Sequence, residues 1–148
     1  MSYDLYAFPL RPGEDPSEAY ERLEEEEAIE GEVDVRALVE ALLTAVPALT
    51  ATGSAEVDED VELTSPELDV LVSAGSVAIS IPYWRSLDRD VLRRRLERVT
   101  DTIRSATGFV VYDGQLERLV ESGADLDEAV AAVAAGAEAL GELVDDGA

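Results

Sequence analysis

Histidine, cysteine, lysine and asparagine are all absent from this chain. Without imidazole there is no general base or metal ligand of the usual kind near neutral pH. Without thiols there is no thiolate nucleophile, zinc–thiolate site or disulfide. Aromatic residues make up only 5%, with one Trp and two Phe, so an interior must be built mainly from aliphatic side chains. No apolar run approaches the roughly 18 residues that suggest a membrane span. Met1-Ser2-Tyr3-Asp4 leads directly into a strand pattern and not into the apolar stretch of a secretory leader. These absences lead us to expect a cytoplasmic protein without membrane contact, bound metal or cofactor.

What is present is one domain's worth of chain, 148 residues of which 47% are hydrophobic and 30% charged. That is too apolar for disorder throughout, and folding at this length should bury about 70% of the unfolded surface. The charge is lopsided: 34 acids stand against 11 bases, all of them Arg, for a net charge of -23. Missing Lys and Asn with few Ile and Phe fit a GC-rich genome, but that bias does not account for the carboxylates. A charge of this size repels itself in a compact state, and molar salt relieves the repulsion by shortening the Debye length to about 3 Å. The acidity therefore reads either as adaptation to a salt-rich cytoplasm or as a surface for a partner. Residues 85–104 are the exception: seven Arg against four acids give this stretch a net charge of +3.

Along the chain, Tyr3 to Phe8 reads as a strand stopped by Pro9. Asp15-Pro16-Ser17-Glu18 offers an N-cap, Pro at the first helical position and an acid two residues on, launching a helix through Glu27. Asp34 caps a second helix in which Val35, Leu38, Val39, Leu42, Leu43 and Val46 form an apolar stripe ended by Pro47. The period then changes from 3.6 to 2. Leu68, Val70 and Val72 alternate with Asp69, Leu71 and Ser73, Ala74-Gly75-Ser76 turns, and Val77, Ile79, Ile81 and Tyr83 continue the alternation. One further strand is expected near 50–57 or 60–64. Arg85 to Ala106 reads as a helix with Leu92, Leu96, Val99 and Ile103 inward and Gly108 as its stop, and Phe109 to Tyr112 as a buried strand. A last helix, capped by Asp125, repeats Leu126, Val130, Val133, Ala137, Leu140 and Val144 along one seam. That seam serves either the domain's own sheet or a homodimer through the C-terminal helix.

The order implies an α+β two-layer sandwich: an antiparallel sheet of four or five strands with helices mainly on one face, and a ferredoxin-like core with additions. The back of such a sheet needs a cover. A single domain is expected over 1–148, with a core to about residue 120 and the C-terminal helix over 124–146. Val70, Val72, Val77, Ile79, Ile81, Leu38, Leu42, Leu96, Val99 and Ile103 are the expected interior.

Three short boxes stand out: Met1-Ser2-Tyr3-Asp4-Leu5-Tyr6, Ile81-Pro82-Tyr83-Trp84, and Gly108-Phe109-Val110-Val111-Tyr112-Asp113-Gly114-Gln115-Leu116. Over residues 1 to about 120 the chain resembles a group of small uncharacterised prokaryotic proteins carrying these boxes. In that group the Tyr-Trp pair is often followed by His and the last box tends to read Tyr-Asp-Pro-Gln. Arg85 and Gly114 occupy those positions here, which removes a titrating or metal role at 85. The resemblance supports the fold and implies no activity.

Tyr83, Trp84 and Arg85 at one element end, with Tyr112, Asp113 and Gln115 at another, are the candidate ligand or partner residues. Aromatics there could line a groove or stack on a guanidinium, while packing and an Asp113 turn cap are the plainer readings. Asp58-Glu59-Asp60-Val61-Glu62 lacks the Gly and bidentate Glu of a calcium loop and reads as a solvated acidic loop. There is no Lys or glycine fingerprint for a phosphate loop. The Arg93-Arg94-Arg95 run sits on a chain too acidic for nucleic acid, which leaves pairing with neighbouring acids. No catalytic residue can be assigned. The favoured function is a non-enzymatic protein-binding or regulatory module, such as an immunity-type protein, whose acidic field suits a basic protein partner. The alternative is a small-molecule-binding domain or weak acid–base enzyme using the Tyr and Trp boxes; it requires Tyr83, Trp84, Tyr112 and Asp113 to converge on one pocket.

Overall fold

The structure, a computed structural model, describes residues 2–25, 34–52, 60–73, 75–82 and 88–146, with side chains for all of these except 23–25, 52 and 140–146. In chain order the elements are β1 (Ser2–Phe8), α1 (Pro16–Glu25), α2 (Val35–Ala45), β2 (Thr50–Thr52), β3 (Val61–Thr64), β4 (Asp69–Val72), β5 (Val77–Pro82), α3 (Arg89–Thr107), β6 (Val110–Asp113), β7 (Arg118–Leu119) and α4 (Gly123–Asp146). The fold is mixed α+β around one open sheet of order β2-β3-β4-β5-β1-β6-β7, antiparallel at every pairing. The expected four or five strands are thus seven. Both regions near residues 50 and 61 form strands, and β7 adds a two-residue edge too short to leave an alternating signature.

Alternation sorts the strands into two faces. On the inner face Tyr3, Leu5 and Ala7 stand opposite Ile81, Ile79 and Val77, and Val70 and Val72 continue the layer on β4. Against this face lie α2, α3 and α4, with α3 between the other two. All ten residues expected in the interior are buried here, none more than 1% exposed. The outer face is covered differently. On it Tyr6 and Phe8 of β1 stand opposite Tyr112 and Val110 of β6, and α1 brings Ala19 and Tyr20 onto them as a second, smaller cluster. The Tyr20 ring lies 5.0 Å from Tyr6 and 5.3 Å from Tyr112, both tilted. The outer residues of β3, β4 and β5 belong to neither cluster, and Leu71 among them is 39% exposed.

Local signals set the helix ends. Asp15 Oδ1 accepts from Ser17 N at 2.9 Å, and a bidentate pair from Arg22 to Glu14, 3.1 Å on each arm, ties α1 to the turn before it. Asp34 Oδ1 accepts from Ala37 N at 3.1 Å. Gly108 stops α3 with φ 74, the left-handed conformation in which a side chain is disfavoured. Two starts depart from expectation. The N-cap of α3 is Asp88, which accepts from Asp90 N and Val91 N, so the helix begins at Arg89, later than expected. Asp125 is not the cap of α4: Ser122 is, its Oγ accepting from Asp125 N at 3.3 Å, while Asp125 Oδ2 accepts from Glu121 N and Ser122 N at 2.9 and 3.0 Å. This reciprocal box places the acid one turn into the helix.

These backbone donors hold the Asp125 carboxyl below its ordinary value of 3.8, the bond from Glu121 first and that from Ser122 second. Because the folded value is the lower one, this contribution to stability is complete above pH 3.8 and disappears as pH falls through the folded value. Asp125→Ala should therefore lower the melting temperature at pH 7, and the gap to the parent should close in melts below pH 3.8. A gap that does not narrow as pH falls below 3.8 would assign the effect to helix propensity instead of to the charge.

The seam on α4 is used within the domain over its first turns, where Leu126, Ala129, Val130 and Val133 are all buried in the main core. Leu140 and Val144 lie outside the described side chains. Among the described residues no helix is long and apolar enough to cross a membrane.

Candidate functional site

Of the candidate residues, Tyr83, Trp84 and Arg85 lie outside the described residues, as do Asp58 and Glu59 of the acidic run. Tyr112, Asp113 and Gln115 are described, and the structure sends the first two to opposite sides of the sheet. Tyr112 points outward into the aromatic cluster, with its hydroxyl 3.1 Å from Ser17 Oγ on α1. Asp113 points inward, where it is 0% exposed. Its Oδ2 accepts from the Tyr3 hydroxyl, and its Oδ1 from Gln115 N and Leu116 N at 3.0 and 3.1 Å. Gln115 itself is exposed in the turn that follows β6.

A buried carboxylate needs hydrogen bonds to offset lost hydration, and Asp113 has three. Arg118 stands directly across the ladder from it but directs its guanidinium to Asp125, at 3.1 Å, and to Glu128. With Asp113 and Tyr3 both sealed from solvent, no bound molecule reaches the pair in this conformation. It works as a latch between the first and third sequence boxes. Its two backbone bonds also fix the turn through 114–117, where Glu117 takes a positive φ of 54. Asp113→Ala should cost about 2 kcal/mol, since it removes three hydrogen bonds, among them the buried one from Tyr3 Oη. Denaturant unfolding of that variant, Tyr3→Phe and the double variant should also show non-additive losses. A single-variant loss below about 0.5 kcal/mol would remove the latch.

Among the described residues no three carboxylates gather as a metal ion requires. A cleft of about 600 Å³ does open elsewhere, in the helical layer, between the end of α2 and the first half of α3. One wall is Thr44, Ala45, Val46, Pro47 and Ala48; the other is Val91, Arg94, Arg95 and Arg98. The arginine run is thereby divided. Arg93 turns away to Asp127 at 2.8 Å and Glu97 at 2.5 Å, and the Asp127 bond above all raises its hold on its proton. Arg95 Nε lies 2.9 Å from Glu67. Arg94 donates only to the backbone oxygen of Asp90, at 3.3 Å, among the described residues, and Arg98 makes no ion pair there. The arginines are visible in the sequence, the cleft is not. Val91, Arg94, Arg95 and Arg98 fall at i, i+3, i+4 and i+7, a single helix face, which was the available signal.

The class of protein defined by this architecture is a mixed α+β domain built on an open antiparallel sheet. Compared with family models, curated proteins and solved structures, the chain matches none.

Proposed function

We propose that the chain is a non-enzymatic binding module that receives a basic protein partner on the outer face of β3, β4 and β5. The observation that carries this reading is the composition of that face. Its described strand residues are Glu62, Thr64, Asp69, Leu71, Ala78, Ser80 and Pro82, bordered by Asp4 on β1, with three carboxylates and no base among them. Small and apolar side chains at Leu71, Ala78 and Ser80 leave the centre flat, and the acids around it attract positive charge and raise the on-rate. Against the enzymatic alternative stands the sealing of Asp113 and Tyr3 and the opposite headings of Tyr112 and Asp113. A ferredoxin-like core belongs to the same proposal. It is supported by the contiguous run β4-β5-β1-β6, antiparallel throughout, with a helix in each of the two long connections. In that arrangement the part of the outer face away from α1 is the natural docking surface.

The test is co-purification of the tagged full chain from its host at native salt, compared with Leu71→Arg. Leu71 is exposed, so the substitution changes the face and not the interior. A stoichiometric basic protein recovered with the parent and lost with Leu71→Arg is the expected result. Equal recovery by both chains, or no stoichiometric partner at all, would overturn the proposal.

A further inference from the structure

The geometry points to a small-molecule site in the arginine-lined cleft between α2 and α3, for an amphipathic ligand with an oxyanion head, carboxylate or phosphoryl, and a short apolar body. The cleft, about 600 Å³, falls within the range of ligand sites. Its chemistry is divided in the way such a ligand needs: Arg94, Arg95 and Arg98 along one side, and Val46, Pro47, Ala48 and Val91 as apolar wall. Guanidinium groups suit carboxylate and phosphoryl oxygens because their N–H donors match them in pairs.

The plain alternative is that these arginines only neutralise what surrounds them. Among the described residues the charges do not balance that way. Glu67 offsets Arg95 at 2.9 Å. The C-terminus of α2 contributes a negative end equivalent to about half a charge, and two of its last carbonyls already accept from backbone, Leu42 O from Val46 N and Val46 O from Leu49 N. Arg94 and Arg98 remain, like charges one turn apart that weaken a helix slightly. In a chain of net charge -23 with 34 acids, neither has a carboxylate partner among the described residues. An anion between them would offset both. The position also differs from the proposed partner face, since α2 and α3 cover the opposite side of the sheet. Failure of either reading leaves the other standing.

The experiment titrates the full chain with anilinonaphthalene sulfonate, a fluorescent anion with an apolar body, in salt at which circular dichroism shows the chain folded. Amide chemical shifts should move at 44–48 and 91–98. Arg94→Gln with Arg98→Gln should weaken binding by at least about tenfold, whereas Arg36→Gln, an equal charge change on exposed α2 surface away from the cleft, should not. Thr44→Trp, which fills the cleft without altering charge, should block the probe and guards against a general loss of positive field. Displacement by inorganic phosphate would assign a phosphoryl head, and displacement by octanoate a carboxylate. Displacement by neither, undiminished binding by the double variant, or shifts confined to other surfaces would overturn the site.

Discussion

Truncating Ile79 to Ala should destabilise the domain by about 2–5 kcal/mol. Ile79 lies on β5, opposite Leu5 on one side and Val70 on the other, and is 0% exposed. Neighbouring strands fix all three backbones, so the layer closes only partly around the missing atoms, and the residual cavity adds to the lost transfer energy. For a chain of this size each kcal/mol moves the midpoint by roughly 2–4 °C, which makes the shift easy to read in a thermal or denaturant melt. Ser80→Ala, one residue along and on the outer face, should stay within about 0.5 kcal/mol of the parent. The contrast is the diagnostic part: a small effect at 79 together with a large one at 80 would mean that the strand is turned over.

That pair of positions also shows why much of the fold could be read directly from the residues. Alternation over Leu68–Val72 and Val77–Ile81 encodes both the hairpin and the identity of its inner face, because strand side chains repeat every second residue. Asp34 and Gly108 act within their own turns, and their roles follow from local chemistry. Arg118–Leu119 is a strand only because β6 lies beside it, so two residues carry no pattern of their own. Ser122 loses its place as a cap if Asp125 is read alone, since either residue type can cap and the choice depends on the reciprocal bond. The same division holds at the candidate site. Val111 and Asp113 share parity, which already places the carboxylate on the buried face. Its partner Tyr3 is 110 positions away and is brought there by the pairing of β1 with β6. The arginine face of α3 is periodic and legible, while the opposing wall at Thr44–Ala48 comes from tertiary packing.

Raising KCl from about 0.1 M to about 2 M should increase the melting temperature by more than about 5 °C, a gain of a few kcal/mol in stability. Two electrostatic effects compete. Salt weakens the ion pairs, such as Arg93 with Asp127 and Arg118 with Asp125, but exposed pairs contribute only about 0–1 kcal/mol each. It also screens repulsion among 34 carboxylates that 11 arginines cannot neutralise. The Debye length falls from about 10 Å to below about 3 Å, so carboxylates on neighbouring strands and helix turns cease to repel. The second effect involves more groups and wins. Chloride is the anion to use, because sulfate strengthens apolar burial in its own right and would raise the midpoint of an uncharged protein too. The result also bears on the partner face. If the acidity is salt adaptation, steering by Asp4, Glu62 and Asp69 extends only a few ångströms under working conditions, and docking must rest on direct contact around Leu71 and Ala78. A melting temperature unchanged across the KCl series would exclude salt adaptation, leaving partner attraction as the reason for the charge.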